Sequence, residues 1–303
     1  MSIAEKIARL KKEKNAVILA HNYQRPEVQD VADFIGDSLA LCFEAQKTDA
    51  KVIIFCGVDF MAESAVVLNP GKIIVHPEPN ARCPMAAMVD VEGLRAEKKK
   101  HPDAAIVAYV NTSAAVKAES DICCTSANAA KVIESLPQKK VIFVPDCNLA
   151  MYVKRFVKGK EIIAWPGYCE VHQNRIQKES VLALKRLHPN AEVVAHPECT
   201  PDVIDVADFV FSTEGMIKHA TASKAKEFII ATEEGICYRM GKMMPEKKFY
   251  AVQGAVCVNM KKITIEKVLA TLEKLEPRVT LPADVAEKAR KPLEKMMKIG
   301  RKD

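Results

Sequence analysis

The sequence predicts an α/β protein built from three pseudo-symmetric three-layer α/β/α domains with parallel sheets. Two observations lead to this fold class. Short apolar runs alternate with helical stretches along the chain, and one segment of sequence recurs. Strands that alternate with helices form parallel sheets that are covered by helices on both faces. The length of 303 residues is sufficient for two or three cores of ordinary size.

The repeat is clearest between residues 20–34 and 195–209, which align without a gap and are identical at nine of fifteen positions. A more diverged copy begins at Ala108, 88 residues after Ala20 and 87 before Ala195. A fixed period indicates a repeated structural unit. We therefore predict domains at residues 1–86, 87–172 and 173–260, with C-terminal helices at 264–303 that join the first domain.

Each copy opens with an apolar run that predicts a strand and continues into a helical stretch, with Pro26 and Pro201 near the helix start in two of them. Two further apolar runs follow in each copy. The nine predicted strands are 17–20, 51–55 and 72–75 in the first copy, 105–108, 140–144 and 161–164 in the second, and 193–195, 227–231 and 248–252 in the third.

Composition narrows the class of protein. The net charge of +6 is spread among interspersed lysines and glutamates, and an aromatic content of 6% argues against a nucleic-acid interface. No stretch approaches the roughly 18 apolar residues of a membrane span, and the N-terminus lacks the apolar run of a signal peptide. We therefore expect a cytoplasmic protein that binds neither nucleic acid nor membrane.

Cysteine content points to ligands or reactive thiols instead of disulfides. Ten cysteines in 303 residues fall well below the roughly 8–10% of a secreted disulfide scaffold. No C-x-x-C motif occurs, so the zinc-ribbon and ferredoxin patterns are both missing. Any metal that cysteines bind here must be held by distant parts of the chain.

Three cysteines recur at equivalent positions. Cys83, Cys169 and Cys257 each follow the third apolar run of their copy, at spacings of 86 and 88 residues, and the other seven show no such pattern. Three equivalent domains about a pseudo-threefold axis would bring these thiols to one point. Three thiolates suit a [4Fe–4S] cluster, whose fourth iron would stay open and act as a Lewis acid in loss of water. A zinc ion on the three thiolates, or three buried cysteines that only pack, are the alternatives.

Polar residues also recur just after the first strand of each copy. His21, Tyr109 and His196 align, as do Tyr23, Asn111 and Glu198. The carboxyl edge of a parallel sheet is where ligands bind, and these side chains supply acids, bases and hydrogen-bond anchors. A helix cap is the alternative role for Glu198.

A third aligned set consists of Ser38, Ser126 and Thr213, each where the next helix is predicted to start. Hydroxyls at this place are common N-caps, and the same helix ends can bind phosphate or carboxylate groups. No glycine-rich nucleotide-binding loop is present.

At this point the sequence closely resembles the quinolinate synthase family, the A protein of bacterial and archaeal NAD biosynthesis. The resemblance covers essentially the whole chain and is carried by six segments: residues 20–24, 35–38, 108–112, 166–172, 196–199 and 212–216. It implies three pseudo-symmetric domains around a central [4Fe–4S] cluster. It also implies condensation of iminoaspartate with dihydroxyacetone phosphate to quinolinate, with loss of phosphate and two waters.

The resemblance assigns a role to each matching residue. The cluster ligands would be Cys83, Cys169 and Cys257, and the acid–base groups would be Glu198, Tyr23 and His172. The substrate and phosphate contacts would be His21, Ser38, Tyr109, Asn111, Ser126, His196, Ser212 and Thr213. Some members carry a C-x-x-C-x-x-C motif around the third ligand, whereas residues 257–260 here read Cys-Val-Asn-Met. Disulfide regulation through that motif is therefore not expected.

Two other functions stay open at this stage. A different hydro-lyase that carries a cluster and acts on a hydroxy acid would use the same open iron. A non-enzymatic iron–sulfur or zinc scaffold would need the cysteines but not the polar rim. The resemblance also implies a functional link to an aspartate oxidase or dehydrogenase that supplies iminoaspartate.

Overall fold

The computed structural model describes residues 2–300, and these form an α/β fold with three parallel four-stranded sheets. Met1 and residues 301–303, which belong to the predicted first domain and C-terminal segment, lie outside the described residues. No helix within residues 2–300 combines the length and the apolar composition that crossing a membrane requires.

The three sheets share one topology, which confirms the predicted fold class. Each has its strands in the order second, first, third, fourth, with all neighbours parallel. The first sheet contains β1 Ala16–His21, β2 Phe34–Gly36, β3 Val52–Cys56 and β4 Ile73–Val75. The second contains β5 Ala105–Tyr109, β6 Ile122–Cys124, β7 Lys140–Val144 and β8 Glu161–Ala164. The third contains β9 Glu192–Ala195, β10 Phe209–Val210, β11 Glu227–Ala231 and β12 Lys248–Ala251.

Fourteen helices within residues 2–300 surround these sheets: α1 Ile3–Glu13, α2 Pro26–Val31, α3 Ser38–Lys47, α4 Asp59–Leu68, α5 Val91–Lys100, α6 Ala114–Ala118, α7 Ala129–Ser135, α8 Cys147–Lys154, α9 Lys178–Leu187, α10 Pro201–Ile204, α11 Thr213–Ala222, α12 Gly235–Met243, α13 Ile265–Lys274 and α14 Ala283–Ile299. Pro26 and Pro201 occupy the first turns of α2 and α10, as predicted. Three short helical turns follow the last strands of the sheets, at Ala86–Met88, Val171–Arg175 and Met260–Lys262.

All nine predicted strands are present, and each sheet has in addition a fourth, short strand that the sequence analysis missed. Strands β2, β6 and β10 have two or three residues each, too few for an apolar pattern to be recognised. Tertiary pairing creates them. Each pairs with the first strand of its sheet, and an aspartate directly before it strengthens the pairing.

This aspartate accounts for one repeated position in the sequence. In each copy its Oδ2 accepts a hydrogen bond of 2.8 Å from a backbone N–H of the first strand. Its own N–H donates to the carbonyl of the same strand residue, at 2.9, 3.0 and 2.9 Å. The three pairs are Asp33 with Ile18, Asp121 with Ile106, and Asp208 with Val193. The carboxylate therefore extends the strand pairing by one residue on each sheet.

The two C-terminal helices pack in different places. Helix α13 lies against α1 in the first copy, whereas α14 contacts α4 of the first copy and α6 and β6 of the second. Leu293 and Met296 of α14 are fully buried in a core that the first two copies share. The domain limits drawn from the sequence stay a prediction, since α14 belongs to no single copy by its contacts.

Candidate active site

The carboxyl ends of strands from all three sheets face one cavity of about 140 Å³. His21 is the last residue of β1, Tyr109 is the last of β5, and His196 directly follows β9. All but one of the residues predicted for the site line this cavity: His21, Tyr23, Ser38, Cys83, Tyr109, Asn111, Ser126, Cys169, His172, His196, Glu198, Thr213 and Cys257. Ser212 is buried and is not among the lining residues.

The three repeated cysteines lie in equivalent loops. Cys83, Cys169 and Cys257 each fall between the last strand of a sheet and the short helical turn that follows it. All three are free thiols, and burial raises the pKa of each. Such thiols stay protonated unless a positive charge compensates the thiolate, and metal ions do so strongly. Each copy thus contributes one cysteine sulfur, a soft donor, to the same cavity. Three such donors suit a metal group that is bound by thiolates.

A closer group that could hold a single metal ion is also present. Cys169, His172 and Glu198 each offer one ligand atom, and these atoms lie within 4.8 Å of one another. Within residues 2–300 the three repeated cysteines do not form such a close group. A metal group of several atoms would reach all three thiols more readily than one ion.

A chain of polar contacts joins five side chains from all three copies. Tyr23 Oη lies 2.6 Å from Thr232 Oγ1, which lies 2.8 Å from His172 Nε2. His172 Nδ1 is 2.8 Å from Glu198 Oε2, at ion-pair distance but outside good hydrogen-bond geometry. Tyr109 donates its hydroxyl hydrogen to the other carboxylate oxygen of Glu198. The contacts therefore place groups that can exchange protons next to one another across the cavity, and the pair of His172 and Glu198 is the one link without a hydrogen bond.

The protonation states of Glu198, Tyr23 and Tyr109 follow from their burial and from the charges beside them. Burial disfavours the ionised form of Glu198, but the neighbouring His172 and the hydrogen bond from Tyr109 outweigh that effect and lower its pKa to about 2. Burial and the negative charge of Glu198 raise the pKa of Tyr23 and of Tyr109 well above 10. At neutral pH the cavity thus holds an ionised carboxylate between two protonated phenols.

The two repeated histidines share one tautomer. Burial lowers the pKa of His21 to about 4 and that of His196 to about 3, so both rings are neutral at neutral pH. Nδ1 of His21 accepts from the Tyr23 N–H at 3.2 Å, and Nδ1 of His196 accepts from the Glu198 N–H at 3.3 Å. The remaining proton of each ring must therefore be on Nε2. Both histidines can donate this hydrogen to an oxygen of a bound ligand.

The predicted hydroxyl set lies at helix starts, but not as N-caps. The cap of α3 is Asp37, whose Oδ1 accepts from the Ala40 N–H at 2.8 Å. The cap of α11 is Ser212, whose Oγ accepts from the Gly215 N–H at 3.2 Å. Ser38 and Thr213 are the first helical residues instead, and Ser126 lies in the turn before α7. All three residues line the cavity at helix ends, which can attract an anionic group.

Several residues of the site were missed in the sequence, and the most important is Thr232, which does not line the cavity but contacts both Tyr23 and His172. It is fully buried and directly follows β11, at the same sheet edge as the histidines. Applying the strand-end rule to every predicted strand, and not only to the first of each copy, would have found it. Four residues that do line the cavity were missed as well: Asp37, Thr125, Arg175 and Glu233.

The fold and cavity define a class of α/β enzyme in which three repeated units contribute to one active site. A family model for the quinolinate synthetase A protein matches residues 5–298. The chain is 54% identical over 298 residues to the quinolinate synthase of Methanosarcina barkeri, covering 98% of this chain and 97% of that relative. It is 53% identical over 297 residues to the quinolinate synthase of Desulforudis audaxviator, covering 97% of each. The chain belongs to the quinolinate synthetase A protein family.

Proposed function

We propose that this protein is a quinolinate synthase of NAD biosynthesis. It would condense iminoaspartate with dihydroxyacetone phosphate and release quinolinate, phosphate and two waters. The observation that carries the proposal is the single cavity in which acid–base groups and three thiols from all three copies meet. The names of its relatives support the same activity.

The cofactor that suits this donor set is a [4Fe–4S] cluster held by Cys83, Cys169 and Cys257. When bound, it would supply an open iron that acts as a Lewis acid in loss of water. Soft thiolates favour iron–sulfur groups over magnesium or calcium. Reduced thiols suit the cytoplasm, where we expect the reaction to take place.

Binding of the two substrates would use neutral donors around the cavity. The Nε2–H groups of His21 and His196 would bind carboxylate or carbonyl oxygens, with Tyr109 and Asn111 beside them. The phosphate would be held by hydroxyls at helix starts, from Ser38, Ser126 and Thr213, with Ser212 fixing the start of α11.

Proton movement would use the polar chain. Glu198 is ionised and can accept a proton from a substrate carbon during enolisation. Tyr23 is protonated and can donate to a departing hydroxyl, and Thr232 connects it to His172. His172 contacts Glu198, so the proton that Glu198 takes can be returned toward Tyr23. An aspartate oxidase or dehydrogenase would supply the unstable iminoaspartate.

The experiment that tests this function combines metal analysis with product assay. Protein purified without oxygen should contain about four irons and four sulfides per chain and should form quinolinate. A triple variant with Cys83, Cys169 and Cys257 changed to serine should lose both. Cys237→Ser is the matched control, since Cys237 is a partly exposed cysteine of α12 outside the cavity.

Each contrary result has its own meaning. Zinc or no metal in the wild-type protein would overturn the cluster. Conversion of a hydroxy acid without quinolinate formation would favour another hydro-lyase. Iron–sulfur content without any turnover would favour a non-enzymatic scaffold.

A further inference from the structure

The backbone of each cysteine loop is held by the segment that follows the third strand of the same sheet. In every copy, an N–H at the start of the helix after that strand donates to the carbonyl two residues before the cysteine. The three bonds run from Asp59 N to Ala81 O at 3.0 Å, from Cys147 N to Gly167 O at 2.8 Å, and from Glu234 N to Ala255 O at 2.9 Å.

An acidic side chain from the same segment makes a second bond, to the cysteine itself. Asp59 Oδ1 accepts from the Cys83 N–H at 3.0 Å, and Glu233 Oε1 accepts from the Cys257 N–H at 3.1 Å. In the second copy Asp146 takes this place. Burial raises the pKa of Asp146. The backbone N–H of Cys169 is one of the groups beside this carboxyl that lower its pKa. Asp146 Oδ2 has no partner of good hydrogen-bond geometry.

These carboxylates are not ordinary surface acids. Asp146 and Glu233 are fully buried, and Asp59 is partly buried. Glu233 also accepts from the Gly235 N–H at 2.7 Å and pairs with Lys261 at 2.9 Å. Burying a carboxylate costs free energy unless hydrogen bonds or ion pairs compensate the lost hydration. None of these three carboxylates belongs to the polar chain from Tyr23 to Tyr109. Asp59 and Glu233 share a hydrogen bond from a cysteine N–H, whereas Asp146 takes the equivalent place and also caps α8 through the Leu149 N–H at 2.8 Å.

We propose that Asp59, Asp146 and Glu233 are positioning residues that hold the three cysteine loops ready for the cluster. This inference rests on the proposed function, because it assigns the cysteines as cluster ligands. Three ligands from distant loops must meet at fixed spacing, and each mobile loop would lose conformational entropy on binding. Hydrogen bonds that fix the ligand backbone beforehand lower this cost and slow the loss of the metal group.

The test compares variants of one carboxylate with a matched carboxylate elsewhere. Asp59→Ala removes the acceptor of the Cys83 N–H. Asp59→Asn restores an oxygen acceptor at the same place without the charge. Asp121→Ala is the control: Asp121 also accepts a backbone N–H, at 2.8 Å, but near the amino end of its sheet, away from the cysteines. All variants are made in the full chain and purified without oxygen.

Two readouts follow from the proposal. Iron release to a chelator should be faster in Asp59→Ala by on the order of 10–100-fold, the effect typical of residues that orient metal ligands. Hydrogen–deuterium exchange of residues 79–85 should also be faster in this variant. Asp59→Asn should stay close to the wild type in both, and Asp121→Ala should leave both unchanged even where it lowers the melting temperature.

Equal iron release and equal exchange at 79–85 in Asp59→Ala and Asp121→Ala would overturn the proposal. If Asp59→Ala does not fold, Asp59→Ser gives the same comparison, because its shorter side chain does not reach the Cys83 N–H. A wild-type protein without iron and sulfide would overturn the proposed cofactor instead. The exchange measurement would then still decide whether Asp59 holds its loop.

Discussion

Glu198 is the residue on which the proposed chemistry depends most. It is almost fully buried, yet it stays ionised because His172 lies beside it and Tyr109 donates to it. A buried carboxylate with a low pKa is a weak base toward water. The two oxygens of Glu198, however, contact His172 and Tyr109, whose side chains can exchange protons. Its contacts therefore suit transfer within the polar chain better than exchange with solvent.

Glu198→Gln should test this role without a large change in volume. We expect turnover to fall by roughly 10²–10⁴-fold, as for other general acid–base groups, because the amide cannot accept a proton. Iron content should stay that of the wild type. Glu192→Gln is the matched control, since Glu192 also pairs with a histidine, His219 at 2.7 Å, but outside the cavity. Near-normal quinolinate formation by Glu198→Gln would remove Glu198 from the mechanism.

At the scale of single elements, the long strands and the helices that begin with proline were predictable because their patterns are local. The short strands β2, β6 and β10 were not, because pairing with a neighbouring strand stabilises them. Helix caps were misplaced by one residue at α3 and α11 and by two residues at α7. In the pair Asp37-Ser38 either side chain is a good cap, and only the backbone geometry shows that Asp37 takes this role.

The repeat predicted that residues from all three copies meet in one site, since equivalent positions in three similar units face one axis. The polar chain did not follow from it. Thr232 has no special sequence signal, and its contacts with Tyr23 and His172 arise only when the first, second and third copies are packed together. Contacts between distant copies depend on tertiary packing, which a single sequence does not display.

The aspartate before each short strand gives a prediction at this scale. Asp121→Ala leaves the Ile106 N–H without its partner, at the point where β6 begins. The free energy of unfolding should fall by about 1–3 kcal/mol, the usual cost of an unsatisfied backbone donor. Chemical denaturation of the wild type and the variant measures it. Asp103→Ala, at a mostly exposed aspartate of the same copy, should change stability little. A loss of similar size in both variants would contradict this role for Asp121.

At the scale of the whole molecule, the three copies carry chemically different side chains at equivalent positions. One aligned set places histidine, tyrosine and histidine at the cavity, and another places Tyr23, Asn111 and Glu198. Their contacts cross between copies, as when Tyr109 of the second bonds to Glu198 of the third. No copy contains the complete polar chain, so activity requires that all three be fixed relative to one another.

Asn22 is an anchor between the first and third copies. It is fully buried, and its Nδ2 donates to Thr213 Oγ1 at 2.8 Å. Its Oδ1 accepts from Arg239 at 2.5 Å, and Arg239 also pairs with Glu214. Because Asn22 uses a lone pair of the Thr213 oxygen, the hydroxyl hydrogen of Thr213 stays available for an anionic ligand. The orientation of Asn22 thus determines whether Thr213 can bind phosphate as a donor.

Asn22→Ala should raise KM for dihydroxyacetone phosphate by on the order of tenfold, with a smaller change in kcat, because one hydrogen bond that fixes a binding group is lost. Asn22→Asp should raise KM further, since a carboxylate beside Thr213 would take the hydroxyl hydrogen and repel phosphate. Steady-state kinetics with varied dihydroxyacetone phosphate measure both. Asn69→Ala is the control, because Asn69 is also buried but bonds to Ala65 outside the cavity. A fall in kcat at constant KM would show that Asn22 supports the chemical step instead of phosphate binding.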